Sequence, residues 1–133
     1  MGEALILETS FLVDLERERH RAREGAAHRF LERNAGSRVY VTFTTAGELA
    51  AGPRIAEREA WERFLQPFGV LRWTRDVAWE YGRAYRHLAD EGRLIGANDL
   101  WIGATALANR MPLVTANAEH FRRIAHLEVR RYR

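Results

Sequence analysis

Three short apolar runs, Ala4 to Leu7, Val39 to Phe43 and Pro112 to Val114, constrain the fold of this chain more than any other feature. They carry no alternation of polar and apolar residues, so each reads as a strand covered on both faces, the habit of parallel sheets. Gly69 to Trp73 and Leu127 to Arg131 are two further candidates. Helical patterns lie between them: Ser10 to Glu18, a charged stretch from Arg21 to Asn34, Thr45 to Ala51, Ile55 to Leu65, Arg75 to Glu91 and Asp99 to Arg110. Within the fifth, Val77, Tyr81, Ala84 and Leu88 have the three-to-four spacing of an amphipathic helix. Strands that alternate with helices imply an α/β class with a parallel sheet covered on both sides. Ligands of such sheets bind beyond the carboxyl ends of the strands, where the strand order reverses.

Composition narrows the chemistry. The chain has 133 residues and 47% hydrophobic content, enough for a single domain spanning residues 1–133 with one core. It has no cysteine, which removes disulfides, thiolate metal sites and a cysteine nucleophile and fits a reducing cytosol. All 21 residues in the Lys+Arg count are arginine, so a P-loop lysine and Schiff-base chemistry are excluded. There is no basic leader and no apolar run long enough to span a membrane, so a cytoplasmic, soluble protein is expected. A net charge of +3, a pI near 9.9 and exclusive use of arginine suit a polyanionic partner, or an ordinary solvated surface.

The residues after the strands are the candidates for chemistry. Glu8 follows ALIL directly; it is either a helix-entry acid favoured by the dipole or a ligand at the strand end. Glu48, in TTAGELAAG, sits at capping-box spacing from Thr45, or turns toward the same strand ends. Asp99 opens a helix whose small residues Gly103, Ala104 and Ala106 predict close packing against the sheet, which would fix the acid at its rim. Asn117, after PLVT, is a turn or cap residue, or a neutral acceptor at the fourth strand end. Converging carboxylates repel one another and need a cation. Oxygen ligands select Mg²⁺ or Mn²⁺, ions suited to hydrolysis of phosphodiesters.

The surroundings of that site are less constrained. Arg17, Arg19, Arg21 and Arg23, and Arg122, Arg123, Arg130, Arg131 and Arg133, could attract a phosphate backbone. Seven of the 14 aromatic residues lie between Trp61 and Tyr85; core packing at helical spacing is the reading here, with base stacking the alternative. None of the five histidines has metal-ligand spacing, and His120 reads as a surface residue. Asp14, within the apolar turn FLVDL, reads as a buried hydrogen-bond partner.

Four segments, LILETSFLVDL, TTAGELAAG, NDLWIGATALA and PLVTANAEHF, resemble in order and spacing the motifs of the PIN-domain family, in particular the VapC-like toxins of toxin-antitoxin pairs. The resemblance covers almost the whole chain. It implies a three-layer α/β/α sandwich with a central five-stranded parallel sheet, and Mg²⁺- or Mn²⁺-dependent cleavage of RNA. It further implies a homodimer and inhibition by a cognate antitoxin that occupies the acidic groove. By motif, the acids are Glu8, Glu48 and Asp99, the metal ligands, with Asn117 near the fourth acidic position. Two positions depart from the pattern: Glu8 stands where the family normally has Asp, and Asn117 is neutral. The alternative reading is a catalytically weakened PIN domain that binds RNA or a protein. A phosphoacceptor receiver or nucleotide binder ranks below both, because the chain lacks lysine, GxGxxG and a P-loop.

Overall fold

A computed structural model describes residues 2–133. The first strand, β1 (Ala4–Leu7), explains the architecture in miniature. Its side chains alternate across the sheet, as strand geometry requires. Leu5 and Leu7 enter one apolar cluster, and Ile6 enters the other. All three are fully buried, so both faces of the strand must be covered.

The strand leads into α1 (Thr9–His20) and α2 (Ala26–Arg33), then β2 (Arg38–Thr42), α3 (Phe43–Ala51) and α4 (Arg58–Leu65). After these come β3 (Gly69–Leu71), α5 (Arg75–Asp90), α6 (Ala97–Asn109), β4 (Leu113–Thr115), the single turn α7 (Ala118–Phe121) and β5 (Val129–Arg131). The five strands form one parallel sheet in the order β3-β2-β1-β4-β5. Phe11, Leu12 and Leu15 of α1, Phe30 of α2, Leu49 of α3 and Phe64 of α4 pack on one face. Ala84 and Leu88 of α5, Leu100 and Ile102 of α6 and Phe121 of α7 pack on the other. This is the expected α/β/α sandwich.

Element boundaries moved where a local hydrogen bond outweighed hydrophobic pattern. Phe43, expected in the second strand, begins α3, because the Thr42 hydroxyl accepts from the Thr45 N–H at 3.0 Å and caps the helix there. The charged stretch from Arg21 yields helix only from Ala26, since Ala22 takes a positive φ of 50° and stops the chain from continuing α1. Gly103 of α6 does pack closely, but against the segment between α7 and β5 rather than against a strand: a Cβ on it would lie 2.3 Å from Ile124 Cδ1. Among the described residues, no helix is long and apolar enough to cross a membrane.

Candidate active site

The strand order turns back between β1 and β4, which places a crevice at their carboxyl ends. Glu8 occupies it. Its backbone N–H donates to the Val114 carbonyl at 2.9 Å, continuing the ladder one residue past β1 and drawing the side chain between the two strands. Glu8 is only 4% exposed. Although it holds the cap position of α1, its side chain makes no capping bond. Instead, Oε1 accepts from Thr115 Oγ1 at 2.5 Å and Ser10 Oγ at 2.7 Å. Oε2 has no hydrogen-bond partner among the described residues. Burial pushes the Glu8 carboxyl above its usual range; the Thr115 and Ser10 hydroxyls and the Ser10 backbone N–H together pull it down by less, and the negative charge of Asp99 adds to the rise.

Glu48 lies half-buried on α3. Because Thr42 rather than Thr45 caps this helix, the expected capping box does not form and the Glu48 carboxylate is free to turn outward. Its Oε1 accepts from Thr9 Oγ1 at 2.6 Å, and its Oε2 from Asn98 Nδ2 at 3.3 Å. Thr9 is the neighbour of Glu8 and Asn98 that of Asp99. Glu48 is thus tied to the segments that carry the other two acids.

Asp99 lies in the first turn of α6, and its side chain is 34% exposed. Oδ2 meets His120 Nε2 of α7 at 2.9 Å. His120 lies at the surface, as read from the sequence, with its side chain 35% exposed, and the fold turns it onto the acid. Asn117 is exposed at the end of β4, with its backbone N–H on Thr115 Oγ1 at 3.0 Å and no side-chain capping bond. The structure therefore gathers Glu8, Glu48 and Asp99 at the carboxyl end of the sheet, with Asn117 beside them and joined to their hydrogen-bond network only through its backbone N–H on Thr115. Thr9, Ser10, Asn98, Thr115 and His120 complete that network. The first four stand within two residues of the acids or at a strand end in the sequence, a signal that was available; for His120 the signal was its place near Asn117 and the proposed site.

The donor set fits a hard divalent cation. It consists of carboxylate oxygens, and Glu8 and Asp99 each keep one oxygen without a hydrogen-bond partner among the described residues. Among the described residues no three acids or histidines converge tightly enough to enclose an ion.

The surroundings sort the remaining expectations. Asp14 accepts hydrogen bonds from Tyr132 and Arg133, both at 2.6 Å, as its place in FLVDL suggested. Arg122, Arg130 and Arg133 are paired with acids, whereas Arg17, Arg19, Arg21, Arg23, Arg123 and Arg131 have no acidic partner within 4 Å among the described residues. Phe64 and Phe68 are core residues as expected. Trp73, however, stacks on Trp101, which stacks on Tyr81, at ring separations of 4.5 and 3.9 Å. Trp73 stays 51% exposed and Phe43 55% exposed, so part of the aromatic set forms a surface beside the acids rather than core.

Comparison with known proteins agrees with this geometry. The chain is 29% identical over 128 residues to Ribonuclease VapC1 of Haemophilus influenzae (strain R2866), covering 92% of this chain and 93% of that protein. Its fold is similar to the solved structure of VapBC-1 from nontypeable Haemophilus influenzae, with a TM-score of 0.79 and 27% identity over 97% of this chain and 98% of that one. It is likewise similar to VapBC2 from Rickettsia felis bound to a promoter DNA fragment, with a TM-score of 0.82 and 22% identity over 96% of this chain and 98% of that one. The profile of the PIN domain matches residues 5–127. With its sheet order, its strand-end acids and this match over nearly its whole length, the chain belongs to the PIN domain family.

Proposed function

We propose that this protein is a metal-dependent endoribonuclease of the VapC type, a toxin whose activity a cognate antitoxin blocks. The observation that carries the reading is the linkage of Glu8, Glu48 and Asp99 through Thr9 and Asn98 at the carboxyl edge of the sheet. The relatives named Ribonuclease VapC and the solved VapBC assemblies support it.

Glu8 and Asp99 are the residues that would hold a Mg²⁺ or Mn²⁺ ion, each having a carboxylate oxygen without a hydrogen-bond partner among the described residues, with Glu48 beside them. When bound, the ion lowers the pKa of an attacking water and neutralises charge on the phosphate. Thr115 and Ser10 fix the Glu8 carboxylate through Oε1, leaving Oε2 to face the crevice. Glu48 Oε2, engaged only by the long bond from Asn98, is the atom best placed to accept a proton from the attacking water. Asn117 offers an uncharged amide to the substrate at the edge of the site. Arg17, which lines a groove with Thr9 and Glu48 and has no acidic partner within 4 Å among the described residues, draws the RNA backbone toward a site that is itself acidic.

The test is cleavage of RNA with Mg²⁺ or Mn²⁺ by the wild type and by Asp99→Asn. Metal-stimulated cleavage that falls at least about 100-fold in the variant is expected, since loss of a group that merely supports a ligand already costs roughly 10–100-fold. Equal cleavage by both proteins would overturn the site. Binding of RNA without metal-stimulated cleavage would instead favour a weakened, RNA-binding PIN domain. That second reading draws on the longer side chain at position 8 and on the absence of three converging ligands among the described residues.

The same reading includes a homodimer. The exposed Phe43, Val70 and Trp73, with the stacked Trp101, form an apolar surface of the kind that marks an interface. Light scattering at micromolar concentration should return twice the 15.4 kDa of one chain, and a monomer mass would discard this part.

A further inference from the structure

We propose that His120 is a positioning residue for Asp99: its Nε2–H holds Oδ2, so that Oδ1 is presented to the divalent ion. This rests on the reading above, in which Asp99 is a metal ligand.

The placement of His120 follows from the single turn that carries it. In α7, Ala118 and Phe121 are 2% and 1% exposed, so both point into the core, whereas the Glu119 side chain is 91% exposed. Residues three apart share a helix face, and the residue between Glu119 and Phe121 is turned sideways toward α6. Phe121 packs in the same cluster as Ile6 of β1, Leu100 and Ile102 of α6 and Leu113 of β4. One end of the 2.9 Å contact is therefore anchored by Phe121 and the other by Leu100, each adjacent in sequence to the residue it steadies.

The contact matches how the other acids are held. Glu8 is fixed through Oε1 by hydroxyls of Ser10 and Thr115, and Glu48 through Oε1 by the hydroxyl of Thr9. Asp99 receives no hydroxyl among the described residues, and His120 supplies the equivalent donor. A single N–H engages one oxygen. An arginine fork would engage both and leave none for an ion. Partners that orient a ligand in this way typically govern metal affinity as well as rate.

The experiment compares wild type, His120→Ala and His120→Gln, each as the full chain. Mn²⁺ binding is followed by the EPR signal of the free ion, RNA cleavage by steady-state kinetics and folding by thermal melting. His120→Ala is expected to weaken Mn²⁺ binding roughly 10-fold or more, and to lower kcat with little change in KM. His120→Gln, whose amide Nε2 reaches the position of the imidazole Nε2, should recover most of both. All three should melt alike, because His120 is 35% exposed and outside the core. Unchanged Mn²⁺ affinity in His120→Ala, or no recovery in His120→Gln, would overturn the proposal. So would pulsed EPR showing nitrogen bound directly to Mn²⁺ in the wild type, since His120 would then be a ligand. A wild type that neither binds Mn²⁺ nor cleaves RNA overturns the nuclease reading and this inference together. A wild type that does both, matched by His120→Ala, overturns this inference alone.

Discussion

Two glutamates belonging to the same helix show how surroundings divide one chemistry into two roles. Glu8 enters α1, and Glu18 lies in its last turns. Both side chains are largely enclosed, and both accept several hydrogen bonds. Glu18 receives the backbone N–H groups of Gly25, Ala27 and His28 and the His28 ring, which use both of its oxygens and fasten the start of α2. Burial alone would raise its pKa, but these donors together outweigh burial and hold it at about 2. Glu8 receives two hydroxyls on one oxygen only, and burial wins. A carboxylate whose lone pairs are all used is a structural clamp. One that is desolvated and half-satisfied suits the ligand role proposed for it.

The largest expected effect separates the two by activity. Glu8→Gln should reduce metal-stimulated RNA cleavage at least about 100-fold, a bound taken from the roughly 10–100-fold cost of losing a ligand's support. Folding stability in metal-free buffer at neutral pH should be unchanged or higher, because a poorly compensated buried charge is removed. Cleavage assays and urea titrations check both halves, and a variant that is active but unstable would place Glu8 in the same class as Glu18. The next effect is on stability. Glu18→Gln should lose about 2 kcal/mol in a urea titration, the scale of hydrogen bonds to a charged group, while cleavage per folded molecule is retained.

The subtlest distinction is the sign of the pH dependence. Glu18 ionises at about 2 in the fold against an ordinary value of 4.5. Its stabilisation is therefore fully present above pH 4.5 and is lost as the pH falls toward 2. Glu8 ionises above 4.5 in the fold, so the native state keeps a proton that the unfolded chain releases. Its contribution declines as the pH rises from 4.5 through the folded value. Melting temperature measured against pH should thus show a shallower acid limb for Glu18→Gln than for the wild type. Glu8→Gln should lack the decline on the other side, and Mn²⁺ should raise the wild-type melting temperature more than that of Glu8→Gln.

Much of this was legible in the chain before folding. The run ALIL gave β1 its observed bounds, since four apolar residues on both faces of a strand leave little else to choose. Glu8, Glu48 and Asp99 were legible as strand-end or helix-entry acids. The role of Glu48 was open because Thr45 offered a local partner, and Thr42, three residues earlier, took the cap instead. Tyr81 packs against the core as read, but Trp73, Trp79 and Tyr85 are exposed, because spacing along an element reports which residues share a face, not what covers that face. Trp101, the neighbour of Trp73 and Tyr81, comes from α6, and the stack remains partly open to solvent.

The three acids were legible in the sequence as strand-end or helix-entry residues, because hydrophobic periodicity fixes the succession of strands and helices and parallel strands bring their carboxyl ends together. That they share one site was there implied by the family resemblance. Which oxygen of each acid is held, and by which residue, was decided only by the tertiary structure. Thr115 lies 107 residues from Glu8, Thr9 39 from Glu48 and His120 21 from Asp99. A hydrogen bond of under 3 Å depends on packing that no local pattern encodes.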